Sequence, residues 1–126
     1  KRKQFVKGIL QLSEEGSIQV FKRPNVGVEE LIVGVVGVLQ FEVLEYRLLN
    51  EYGVEILMQQ LPYRHIRWIK TDNFDRKAFS LPMDSLIVED EYNRPVILMQ
   101  NEWNIQQVLD RNKKVRLEEI SVRGNK

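Results

Sequence analysis

The sequence contains no cysteine and one histidine among 126 residues. Disulfides and thiolate chemistry are therefore excluded. A metal site would have to be built from carboxylates, and Glu89-Asp90-Glu91 lacks the ligand spacing of a calcium loop. A Ser–His triad would need one of Ser13, Ser17, Ser80, Ser85 or Ser121 to meet His65, and none stands in a nucleophile-elbow context. The phosphate-loop signature G-x-x-x-x-G-K-[ST] is absent, as is the RNP1 pattern of an RNA-recognition motif. Charge of one sign is also lacking: 19 Lys and Arg against 18 Asp and Glu leave +1, so bulk electrostatics demands no nucleic-acid partner. No apolar run approaches the roughly 18–20 residues that cross a bilayer, and no membrane partner is expected. The chain opens Lys1-Arg-Lys with neither Met nor a signal-peptide stretch, so it is expected to be a piece of a longer protein, and the absence of Cys agrees with a cytoplasmic location.

What is present is the composition of one globular domain, 43% hydrophobic and 29% charged. Phe5, Val6, Ile9, Leu10 and Leu12 recur at helical spacing from Lys3 to Glu15, and Gly16 can close that helix with positive φ. Ser17 to Lys22 alternates as a strand, with Ile18 and Val20 facing one way. Pro24, Asn25 and Gly27 mark a turn. Leu31 to Val36 reads as a strand buried on both faces, in which Gly34 and Gly37 let a helix approach or the strand bend. Leu39 to Tyr52 is helical, with Phe41, Leu44, Leu48 and Tyr52 on one stripe, closed by Gly53. Val54, Ile56 and Met58 then alternate as a strand that Pro62 ends.

The second half predicts a strand over Arg64 to Lys70 and a short helix capped by Asp72 and stopped by Pro82. A hairpin follows, from Leu86–Val88 to Val96–Met99. Asn101 caps a further helix carrying Trp103, Val108 and Leu109, and Val115 to Ile120 forms a last strand. The order αββαβ then βαββαβ implies an α+β fold, a two-layer α/β sandwich of two ferredoxin-like lobes. One lobe spans about 1–62 and the other about 63–126, and the first lacks its N-terminal strand.

Chemistry is sparse. Gly34-Val-Val-Gly37 is a bare G-x-x-G with valines between, better suited to packing than to phosphate. Glu14-Glu15 and Glu118-Glu119 are sequence neighbours whose side chains point apart, hence surface charge. Trp68 and Trp103 are the right type for base stacking, but each is assigned to an apolar stripe. Cations do cluster: Lys1, Arg2, Lys3 and Lys7; then Arg64, His65, Arg67 and Lys70; then Arg111, Lys113, Lys114 and Arg116. Asp84, Glu89, Asp90 and Glu91 form an acidic counterpart. No catalytic, cofactor-binding or metal-ligating residue is assigned.

Lys3-Gln-Phe-Val-Lys-Gly8, Gln11-Leu-Ser-Glu-Glu-Gly16, Gln19-Val-Phe21 and Leu31-Ile-Val-Gly-Val-Val-Gly-Val-Leu-Gln-Phe-Glu-Val43 together resemble the C-terminal domain family of bacterial peptide chain release factor 3. Arg47-Leu48, Glu51-Tyr52, Val54-Glu55 and Arg67-Trp68 fit the same pattern, and the likeness fades after Lys70. The Leu-Ser-Glu-Glu-Gly and Gly-Val-Leu-Gln-Phe-Glu segments are more distantly similar to domain III of elongation factor G, a ferredoxin-like unit. The resemblance implies a translational GTPase that removes class-I release factors from the ribosome in translation termination. It implies GTP and Mg for the parent protein, held outside this chain. It also implies that a GTPase domain and a β-barrel precede this domain, and that rRNA and small-subunit ribosomal protein are its partners. Self-association is expected to carry no function. On that basis Arg64, Arg67, Lys70, Arg111, Lys113 and Lys114 are the expected ribosome contacts. The rival reading is a small-molecule-sensing or regulatory ferredoxin-like domain, whose sign would be a deep pocket lined by Phe41, Tyr46 or Trp68.

Overall fold

A computed structural model describes residues 2–16, 18–23, 31–35, 37 and 39–119. The fold is α+β, with helices set against antiparallel strands, and the chain divides into two compact units, 1–60 and 61–126. The turn expected at Pro24, Asn25 and Gly27 lies outside the described residues.

In the first unit, helix α1 (Arg2–Glu14) leads to strand β1 (Gln19–Lys22), strand β2 (Leu31–Gly34) and helix α2 (Leu39–Tyr52). β1 and β2 pair antiparallel, with Gln19 opposite Gly34 and Lys22 opposite Leu31. Ile9, Leu12, Ile18, Leu44, Leu48 and Val54 form the buried core, against which Val20, Leu31, Val33 and Val35 pack. Both helices thus share one face of the strand pair. This one-sided cover corrects the expectation that β2 is buried on both faces: every residue of β2 is only half-buried. Phe21, on the β1 face opposite Val20, is 1% exposed.

Gly16 and Gly53 have φ of 80° and 67° and close α1 and α2 as predicted. The close approach of a helix falls at Gly8 and not at Gly37. A Cβ on Gly37 would meet open space, whereas one on Gly8 would stand 2.7 Å from the Leu48 Cδ2 and 3.0 Å from the Tyr52 ring. Gly8 is where α1 crosses α2. Beyond Gly53 the expected strand does not form: 53–64 has no regular structure. Val54 is buried and Ile56 packs beside it, while Leu57 is fully exposed. The alternation recorded one-sided burial, which fixes where side chains go but supplies no partner for the backbone.

The second unit runs β3 (His65–Lys70), β4 (Leu86–Glu89), β5 (Pro95–Met99), α3 (Glu102–Arg111) and β6 (Arg116–Glu118). The strands lie in the order β4-β5-β3-β6, each pair antiparallel. The unit's first and last strands are therefore neighbours, as a β-α-β-β-α-β unit requires. Its first crossover helix is absent, however. Instead of a helix capped by Asp72, one turn is built on Asp75, whose carbonyl accepts from the Ala78 and Phe79 amides at 3.1 and 3.0 Å. The Asp75 carboxylate accepts from the Lys77 amide at 3.0 Å. Too few residues separate this turn from Pro82 to offset the cost of nucleating a helix. Phe74 and Phe79 nevertheless fill the helix's place, packing on Ile69, Ile87, Ile97, Met99 and Val108.

Candidate functional site

Local chemistry first fixes the frame of the second unit. Asn101 caps α3 by accepting from the Asn104 amide at 3.0 Å, and the Asn104 side chain reaches back to the Asn101 amide. The hairpin between β4 and β5 is organised by Asp90, which is 5% exposed and hence not part of an acidic surface. Its carboxylate accepts from the Trp68 indole at 2.9 Å, the Tyr92 and Arg94 amides at 2.9 and 3.0 Å, and the Arg94 Nε at 2.8 Å. Burial works to raise the Asp90 pKa. The Arg94 amide, the Trp68 indole, the Tyr92 amide and the Arg94 guanidinium outweigh it and hold the carboxyl below its ordinary value. Asn93 takes φ of 63° to complete the turn, a conformation asparagine tolerates better than most residues.

Trp68 is thus interior, as the sequence predicts, but Trp103 is not. It is 70% exposed, because α3 buries Asn104 and Val108 and a residue five positions before Val108 points to the other side.

The six basic candidates separate along the sheet. Arg64 is exposed just before β3, where its amide donates to the Met99 carbonyl at 3.0 Å. Lys70 ends β3, about 20 Å away at the rise of an extended strand. Between them Arg67 is half-buried, pairing with Glu119 at 3.3 Å and donating to the Ile66 carbonyl at 3.0 Å. Lys70 stands directly opposite Arg116 in the β3–β6 register. Arg111 ends α3, and Lys113 and Lys114 form the exposed turn that leads into β6. Lys70, Arg111, Lys113, Lys114 and Arg116 therefore collect at one end of the unit. Among the described residues none of these five makes an ion pair.

Like charges directly across two strands oppose pairing, so the Lys70–Arg116 register is a local cost unless an anion offsets it. The sequence pattern placed Arg116 in the third basic cluster, but only the register puts it beside Lys70. Asp72 and Asp110 are the acidic sequence neighbours, and Glu118 follows on the same face as Arg116.

Phe41 and Tyr46 lie on opposite sides of α2, with Tyr46 67% exposed, and Trp68 is 4% exposed in the second unit. A depression of about 270 Å³ in the first unit is lined by Lys3, Gln4, Lys7, Glu51 and Tyr52, a mostly charged and polar set. Among the described residues no three acidic or histidine side chains come together to hold a metal ion, and Gly34-Val-Val-Gly37 offers the phosphates of GTP no lysine and no hydroxyl. Among the described residues no helix is long and apolar enough to cross a membrane.

The second unit thus joins an α+β frame to a cluster of cations at one of its ends. Comparison with known proteins supplies the family. The family model described as the class II release factor RF3, C-terminal domain, matches residues 1–109, so the likeness continues past Lys70 to the last turn of α3. Peptide chain release factor 3 of a Cyanothece species is 42% identical over 121 residues, 96% of this chain and 22% of that protein. The namesake from Symbiobacterium thermophilum is 41% identical over 112 residues, 89% of this chain and 21% of that protein. That of Gloeothece citriformis is 39% identical over 125 residues, 99% of this chain and 23% of that protein. The chain belongs to the class II release factor RF3 C-terminal domain family, a family of translation termination. It spans about a fifth of the length of the curated relatives it matches.

Proposed function

We propose that this chain is a non-catalytic, ribosome-contacting domain of a GTP-dependent peptide chain release factor, one that promotes dissociation of class-I release factors at termination. In this reading GTP and Mg are bound by preceding domains of the same factor, and the present domain supplies binding energy and orientation to the ribosome. Membership in the release factor family supports the biological setting. The observation that carries the contact is the Lys70–Arg116 register with Arg111, Lys113 and Lys114 beside it. Unopposed cations gathered at one sheet end suit the phosphates of rRNA, where each contact releases condensed counterions.

Arg67 acts differently from the rest, since its guanidinium is already engaged by Glu119 and the Ile66 carbonyl. In this reading Arg64, at the opposite end of β3 from Lys70, meets a separate part of the ribosome. The test is co-sedimentation of the intact factor with purified ribosomes over a salt series, comparing the parent with Lys70→Glu and Lys114→Glu. Both substitutions are expected to weaken association and flatten its salt dependence without lowering the thermal unfolding temperature, which Lys70→Glu should raise by facing Arg116. Unaltered binding by both variants would reject this end as the contact.

A further inference from the structure

Helix α2 carries two apolar stripes, and the core uses only one. Leu44 and Leu48 are 3% and 0% exposed, with Phe41 and Tyr52 half-buried beside them. On the opposite side Leu39, Val43, Tyr46 and Leu49 are 73%, 54%, 67% and 48% exposed. Leu39, Val43 and Tyr46 follow the i, i+4, i+7 spacing of one continuous helical face. Four neighbouring apolar side chains left in water on a single helix form a stripe, unlike the scattered exposed leucines of any surface.

The charges beside that stripe say what can cover it. Glu42 and Glu45 border it, both exposed, and among the described residues neither is in an ion pair. The basic residue of the helix, Arg47, is already held by Glu15 at 2.8 Å and Glu51 at 2.9 Å. It holds the Glu15 carboxyl below its ordinary value through their hydrogen bond. The face is therefore apolar at its centre and anionic at its margin. A phosphate backbone would be repelled there. A second copy of the chain, docking α2 on α2, would set Glu42 and Glu45 against the same residues of its partner.

We infer that the Leu39–Val43–Tyr46–Leu49 stripe of α2 docks a basic amphipathic helix of a partner protein. Such a helix would lay its apolar side between these four residues and its lysines or arginines against Glu42 and Glu45. This surface is distinct from the cationic end of the second unit and does not depend on it.

Titration calorimetry of the 126-residue chain with a synthetic leucine–lysine amphipathic helix, and with its leucine–glutamate counterpart, tests the inference. The lysine helix is expected to bind and the glutamate helix not to. Val43→Glu and Tyr46→Glu should each weaken the lysine helix by about tenfold or more, as loss of a central anchor does. Glu42→Lys combined with Glu45→Lys should reverse the preference between the peptides. Because these side chains point away from the core, melting curves should match the parent, and a variant that melts early is replaced by the charge-reversal pair. Failure of the lysine helix to bind, equal binding of both helices, or indifference to Val43→Glu would overturn the proposal. So would a dimer abolished by Val43→Glu, which gives the face to a second copy. RNA oligonucleotide affinity lowered by Val43→Glu would assign it to nucleic acid and likewise overturn it.

Discussion

Asp90 concentrates more hydrogen bonds than any other carboxylate described here: two amides, an indole and a guanidinium all point at it. Truncation to alanine would strand the Trp68 Nε1–H in the interior and leave Arg94 without its carboxylate. Asp90→Ala is expected to cost about 3 kcal/mol in denaturant unfolding. The acid response follows from the same geometry. The folded-state pKa of Asp90 is depressed, so its contribution is fully present above the unfolded-state value near pH 4. It is lost as pH falls through the lower folded value. The denaturation midpoint should thus decline on acidification below about pH 4, and less steeply in Asp90→Asn. Gly8 is the second residue whose surroundings dictate its identity. Alanine there gains helix propensity of roughly 1 kcal/mol but drives a methyl into the Leu48 side chain, which is 0% exposed and has nowhere to go. Gly8→Ala should be destabilising by about 1–2 kcal/mol, and a stabilised variant would show that the helices separate readily.

At the scale of elements, α2 shows how one helix serves two surfaces. Leu44→Ala is expected to cost about 2–5 kcal/mol, as truncation of a buried leucine does, whereas Val43→Ala one position away should be nearly neutral. Chemical denaturation of the pair reads the contrast directly, and similar losses would mean that the outward stripe is covered in the folded chain. The helix stops where Gly53 donates to the Leu49 carbonyl at 3.1 Å and Val54 to the Leu48 carbonyl at 2.9 Å. With open space around the Gly53 Cα, Gly53→Ala should cost about 1 kcal/mol from backbone strain alone. The 75–79 turn is the converse: Phe74, just before it, and Phe79 pack at a 5.7 Å ring separation although the helix that would ordinarily present them is missing. Ser80 is fastened to the end of α3 through Asn112, which accepts from its amide at 2.8 Å and donates to its carbonyl at 3.0 Å.

For the whole molecule, a net charge of +1 conceals an uneven distribution, with cations gathered at one sheet end and carboxylates along α2. Salt dependence is the measurement that separates them. If Lys70, Lys113, Lys114 and Arg116 meet phosphates, neutralising each should lower the slope of log affinity against log salt by roughly one unit. Ribosome co-sedimentation of single glutamine variants checks this, and a slope unmoved by all four would place the contact elsewhere.

Among the described residues periodicity determined α1 and α2, because Ile9 and Leu12, and Leu44 and Leu48, recur on faces that must leave water whatever the topology, whereas α3 was legible from its Asn101 cap. Gly16, Gly53 and Asn101 marked their ends for equally local reasons. The family, too, was legible in short segments that survive without coordinates. Tertiary structure decided what depends on a partner distant in sequence. It withheld a neighbour from Val54–Met58 and set Arg116 opposite Lys70. It drew Asp90 inward to the Trp68 indole, and it turned Trp103 out into solvent. Local pattern says which side of an element is apolar, but only the packed chain says what stands across from it.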